Sequence, residues 1–278
     1  MSRIPSALIT FGAAAIVLSL AACASATTEP TDDASGYITE GKLTIATGEP
    51  AYPPYVEDNK PESGTGFESA IAYAVAEELG FAKEDVVWVL TGFEEVIQPG
   101  PQTFDINLQQ FSISDERAKA VDFSSPYYAT PQAVITVEGS AAADASSIAD
   151  LKGLLIGAAS GTTSFTTIED VIEPTQGAQV FNTNDEAKVA LENGTVDAIV
   201  VDLPTAFYLT GAELTGGVLI GQLPAAAGTS DEWGILLAKD SPLTADVTAA
   251  VDALREDGTL DAIAEEWLGA DAGAPVLN

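Results

Sequence analysis

The sequence predicts an α/β protein with largely parallel sheets covered on both faces by helices. From Lys42 onward, short β-branched runs alternate with amphipathic helical stretches. Two small-residue stretches interrupt that alternation, Gly139 to Ser147 and the Gly/Ala-rich Leu223 to Thr229. They are candidate breaks between two lobes.

Leu43–Thr47 reads as the first strand, ended by Gly48-Glu49-Pro50. Phe67, Ile71, Val75 and Leu79 form one helical stripe, with Gly80 as its stop. Strands follow at Val86–Leu90 and Phe104–Leu108, and a polar loop from Gln109 to Glu116 leads to Arg117. After a strand at Ala133–Val137, a second series sets strands Leu154–Gly157, Ala178–Asn182 and Val196–Val201 around helices Thr163–Ile172 and Asp185–Glu192. A strand at Trp233–Ala238 opens the closing section. Ser241-Pro242 then starts a helix to Asp257 with Leu243, Val247, Val251 and Leu254 facing inward. The last helix places Leu260, Ile263, Ala264, Trp267 and Leu268 on one face.

The N-terminus sets a location. Arg3 precedes an apolar run from Ala7 to Leu20, the layout of a secretory signal and shorter than the ~20 residues a bilayer span requires. The run ends Leu20-Ala21-Ala22-Cys23, which resembles the lipobox of bacterial lipoproteins and implies cleavage after residue 22 and acylation of Cys23. Residues 23–38 hold few large apolar side chains and read as a flexible tether to the membrane.

Composition removes several kinds of chemistry. The chain has 1 cysteine and no histidine, which excludes a Ser-His-Asp triad, a Cys-His pair, a His-ligated zinc site and an internal disulfide. Neither a metal nor a cofactor is expected. The 42 acidic residues outnumber the 10 basic ones, a net charge of −32, so nucleic acid is not a partner. Gly36 to Lys42 nearly spells a phosphate loop, but Leu43 stands where a hydroxyl must ligate magnesium.

In open α/β sheets, ligands bind beyond the carboxyl ends of the strands. Behind the first predicted strand come Glu49 and Tyr52, behind the third Gln110, Phe111, Ser112 and Arg117. Behind the later ones stand Gly161-Thr162-Thr163 and Asp202. These groups supply one cation, anions, hydroxyls and aromatic walls, a set that complements a zwitterion. Arg117 is one of only 3 arginines, and its planar fork suits a carboxylate. It could instead pair with Glu116 or Asp122. Asp202 could accept an ammonium or cap a helix from Leu203. Tyr52, Tyr55 and Phe111 could stack on a ligand or belong to the core.

Taken together, these residues resemble the family 3 solute-binding proteins of bacterial ABC importers, the polar amino-acid binders. The resemblance spans residues 41–269. Its marks include Tyr52-Pro-Pro-Tyr55, Gly66-Phe67-Glu68, Ser112-Ile-Ser-Asp-Glu-Arg117, Ser160-Gly-Thr-Thr-Ser164, Asp202 and Trp233-Gly234. It implies a two-lobed periplasmic-binding-protein-like fold of type II. Lobe 1 would take residues 39–130 and 226–278, lobe 2 would take 131–225, and two hinge strands would join them. It further implies that Arg117 grips an α-carboxylate with Ser112 and Thr163, that Asp202 takes the α-ammonium, and that Tyr52 stacks on the side chain. Gln110 stands where the family commonly has a small residue, so it would intrude on the pocket. The expected protein is a monomeric, lipid-anchored, extracytoplasmic receptor that delivers an amino acid to an ABC importer permease, without catalysis. The alternatives are a cleft enzyme resembling cyclohexadienyl dehydratase, built on Glu49, Glu68 or Asp202, and a surface ligand-sensing module.

Overall fold

A computed structural model of the chain describes residues 36–225, 230–269 and 274–278. The expected signal, Cys23 and the tether as far as residue 35 lie outside the described residues. Ten strands follow one another along the chain: β1 Leu43–Gly48, β2 Val86–Thr91, β3 Ile106–Asn107, β4 Val121–Thr130, β5 Gln132–Val137, β6 Ile156–Ala159, β7 Gln179–Phe181, β8 Ala198–Asp202, β9 Gly217–Gln222 and β10 Asp231–Ala238. They form two sheets of five, ordered β2-β1-β3-β10-β4 and β7-β6-β8-β5-β9. The helices are α1 Phe67–Glu78, α2 Phe93–Val96, α3 Ile148–Leu151, α4 Thr163–Thr167, α5 Asn184–Glu192, α6 Leu203–Tyr208, α7 Thr244–Glu256 and α8 Thr259–Leu268. No helix among the described residues is long and apolar enough to cross a membrane.

Each sheet is largely parallel with one reversed strand. β2, β1 and β3 run parallel, β10 pairs antiparallel with β3, and β4 pairs antiparallel with β10. The second sheet repeats the scheme with β5 as the reversed strand between β8 and β9. Each reversed strand is the first strand after the chain has crossed between lobes. The strand after each crossing begins at the edge where its parallel neighbours end, Gln132 beside Asp202 and Asp231 beside Thr130, and therefore runs against them.

Both faces of both sheets are covered. One core gathers Leu43, Ile45, Phe67, Ile71, Val75, Trp233, Val247 and Val251 between the first sheet and α1, α7 and α8. In the second sheet, consecutive residues of β8 point to opposite cores, Ile199 and Val201 to one and Ala198 and Val200 to the other. That double burial is why the strand reads as an unbroken apolar run.

Strands β4 and β9 have no counterpart among the sequence expectations. Both are edge strands. β4 carries Ser124, Ser125 and Pro126, and its register with β10 shifts beside Gly234. A proline fits there because an edge leaves one row of backbone groups unpaired.

Two boundaries move. Tyr37 and Ile38, expected in the tether, belong to the folded body. The Tyr37 ring meets Phe81 edge-on at 5.0 Å, and the Ile38 amide donates to buried Asp105 at 2.8 Å. The C-terminus also departs from its expected place in lobe 1. The Leu277 amide donates to Gln222 at 2.9 Å, and the Gln222 amide donates to Pro275 at 2.8 Å. Leu277 is buried in the core of the second lobe. An apolar side chain near the chain end gains more from that core than from solvent. Leu277→Ala should therefore lower stability by about 2–3 kcal/mol in urea unfolding, as buried Leu→Ala changes do. Val276→Ala, at a side chain 51% exposed, should cost less than about 0.5 kcal/mol.

Candidate functional site

Between the lobes lies a cleft of about 300 Å³. Glu49, Tyr52, Gln110, Ser112, Arg117, Thr162, Thr163 and Asp202 line it, together with Phe93, Glu94, Glu68 and Asn182. Most follow the carboxyl ends of strands.

The two readings open for Arg117 separate cleanly. Lys119 takes Glu116 at 2.5 Å and Lys239 takes Asp122 at 2.9 Å, so neither nearby acid is paired with the arginine. Arg117 donates instead to two backbone carbonyls, Ser112 at 2.6 Å and Gly161 at 2.9 Å. Gly161 adopts φ +70° to turn its peptide there, a conformation that favours glycine. Among the described residues Arg117 forms no ion pair with a carboxylate. Three of its five N–H groups remain for a ligand. Burial lowers the pKa of its guanidinium, while Asp231 and Asp202 oppose that shift.

Asp202 occupies the cap position of α6, yet its side chain makes no capping bond. Its carboxylate accepts from the Gln132 side-chain amide at 2.6 Å. Burial and neighbouring Asp231 raise its pKa to about 7, against the lowering effect of Gln132 and Arg117. A recessed carboxyl poised there favours an arriving cation strongly.

Thr162 and Thr163 divide the work of the α4 start. The Thr162 hydroxyl caps the helix, accepting from the Phe165 amide at 3.2 Å and donating to Ala159 at 2.7 Å. That leaves Thr163 to face Ser112 at 3.2 Å across the lobes. Tyr52 donates to Asp185 of the second lobe at 2.6 Å, and Tyr55 reaches Thr205 at 2.8 Å. Ser160 likewise bonds Glu94. Glu49 lines the cleft rim and is exposed.

Phe111 requires correction as a ligand contact. It is fully buried and stacks at 4.9 Å on Phe93, whose ring is the one that lines the cleft. The Arg117 guanidinium lies 5.4 Å from the Phe93 centroid, within cation–π reach. The strand-end rule points to Phe93 as well, because it stands two residues beyond Thr91 of β2. Asn182 follows β7 in the same way.

Gln110 does enter the cleft, and it does so in a left-handed conformation, φ 52°. Such a backbone costs about 1 kcal/mol or more in a non-glycine residue. Its backbone and side-chain amides both donate to Glu68, which also accepts from Tyr127. These bonds offset the strain and hold Gln110 in place. Glu68 is 1% exposed, and burial raises its carboxyl pKa to about 7 despite the three donors.

A carboxyl raised in this way keeps its proton in the folded state where the unfolded chain releases it. Its stabilising contribution is complete below its ordinary value of 4.5 and is lost as pH rises through about 7. Asp202 acts with the same sign. Thermal unfolding followed from pH 5 to 8 should therefore show falling stability. Glu68→Gln should remove roughly 2–3 kcal/mol of that decline.

Comparison with known proteins places the chain in a family. The family model described as bacterial extracellular solute-binding proteins, family 3, matches residues 43–270. The chain is 33% identical over 231 residues to an L-arginine-binding protein of Pseudomonas aeruginosa, covering 80% of this chain and 86% of the relative. It is 30% identical over 236 residues to the L-cystine-binding protein TcyJ of Escherichia coli, covering 82% and 84%. Among solved structures, an ancestral arginine-binding protein bound to glutamine superposes with a TM-score of 0.69 at 30% identity, covering 84% of this chain and all of that one. The fold is that of the two-lobed periplasmic binding proteins, and the chain belongs to the bacterial extracellular solute-binding proteins of family 3.

Proposed function

We propose that this chain is the extracytoplasmic substrate-binding component of an ABC importer, that it captures an amino acid between its lobes, and that Cys23 anchors it to the cell membrane. One observation carries the reading: an arginine that, among the described residues, has no carboxylate partner and a recessed aspartate line the same cleft from opposite lobes. A ligand that is both carboxylate and ammonium satisfies both at once and draws the lobes together. Arg117 takes the carboxylate with its remaining N–H groups, and Asp202 takes the ammonium. Phe93 and Tyr52 flank the side chain.

The named relatives bind amino acids, L-arginine and L-cystine among them. Glu49 and Glu94 beside the cleft favour a cationic or neutral side chain over an acidic one. We read the cleft as binding and not as catalytic. Glu68, the carboxyl best buried there, already accepts three hydrogen bonds and serves to hold Gln110.

A thermal-shift screen over the twenty amino acids, ornithine and cystine tests this directly. At one hundred times its dissociation constant, a true ligand adds about 2.7 kcal/mol to stability. Arg117→Ala should then cost roughly 2–5 kcal/mol in binding by calorimetry. Arg117→Lys should recover only part of it, because an ammonium lacks the fork. Undiminished binding by Arg117→Ala would refute the assignment.

A further inference from the structure

Asp231, the first residue of β10, does not line the cleft. It touches the residues that build it. One oxygen of its carboxylate, Oδ2, accepts the Thr163 hydroxyl at 2.6 Å and the Gln132 side-chain amide at 2.7 Å. The same Gln132 nitrogen donates to Asp202 at 2.6 Å, and the Gln132 carbonyl oxygen accepts from Ser164 at 2.6 Å. A primary amide has two hydrogens, and here each goes to a carboxylate. Gln132 is 5% exposed, and its orientation is fixed by these partners together with the Thr163 hydroxyl oxygen, 3.5 Å from the same nitrogen. Thr163 has one hydroxyl hydrogen, which Asp231 takes. Toward Ser112, 3.2 Å away, Thr163 therefore presents lone pairs.

The geometry points to Asp231 as a positioning residue of the binding site, which sets the donor and acceptor faces of Thr163 and Gln132 and, through Gln132, governs the charge on Asp202. Both hinge crossings take part, since Gln132 begins β5 and Asp231 begins β10. Two carboxylates sharing one amide in a recessed site repel each other, so protonation of one relieves the pair. The groups facing Asp202 are Asp231 from β10, Gln132 from β5, Arg117 from the segment before β4, and Glu68 and Tyr55 from the first lobe. Of these, Asp231 is the strongest charge acting to keep the proton on Asp202. The inference rests on the proposed function only for the identity of the ligand group that Asp202 meets.

Asp231→Asn keeps the shape and an acceptor for Thr163 but removes the charge. In ligand-free protein, side-chain carboxyl ¹³C shifts, assigned with Asp202→Asn, report the Asp202 titration. The Asp202 midpoint should fall by roughly one pH unit in Asp231→Asn. An unchanged midpoint overturns the proposal. A second readout is the ratio of dissociation constants for L-arginine at pH 6 and pH 8. That ratio is about tenfold for a wild-type carboxyl titrating near 7 and should shrink in the variant. A merely structural role would weaken binding by the same factor at both pH values, which would also overturn the proposal. Should wild type not bind L-arginine or any other amino acid, the ligand-free titration still decides the role of Asp231, and it is the proposed function that fails. If Asp231→Asn does not fold, Asp231→Ser retains an acceptor without the charge and gives the same comparison.

Discussion

Each sheet of this protein has one strand that runs against the other four, and each reversed strand starts where the chain has just crossed between lobes. A strand entering in reverse places its first residue at the edge where its neighbours end. Gln132 thus pairs directly with Asp202, the last residue of β8. Asp231 is placed by the same rule in the other sheet. Residues at both crossings consequently touch residues that line the cleft, Gln132 meeting Asp202 and Asp231 meeting Thr163.

Electrostatics gives the cleft its second constraint. Arg117 is partly buried and, among the described residues, meets carbonyl oxygens and not a carboxylate. Two acids, Asp202 and Asp231, meet one amide. Charges held this way are stabilised enough to stay ordered and incompletely enough to favour a complementary ligand. Glu68 illustrates the contrasting case. Surrounded by three donors, it fixes the backbone of Gln110 and so shapes the cleft wall without being left to bind.

Much of this was legible beforehand because strand ends are local. β-branched runs located β1, β8 and β10, and looking past the parallel strands located Arg117, Thr163 and Asp202. Phe93 and Asn182 follow from the same rule applied to β2 and β7. Phe111 misled because an aromatic after a strand reads alike whether it faces the cleft or stacks behind another ring. The tail was illegible for a different reason. Nothing near Leu277 states which of two cores it enters.

By itself, the sequence determined the fold class, the absence of histidine chemistry, and the presence of a fork-shaped cation and an acid at strand ends, since each depends on local pattern or composition. Only the tertiary structure decided which strands run in reverse, that Asp231 and Gln132 join Asp202, and that the last residues return to the second lobe. Those outcomes depend on contacts between segments far apart in the chain, such as Gln132 with Asp231, and such contacts leave no periodicity or spacing in the sequence to read.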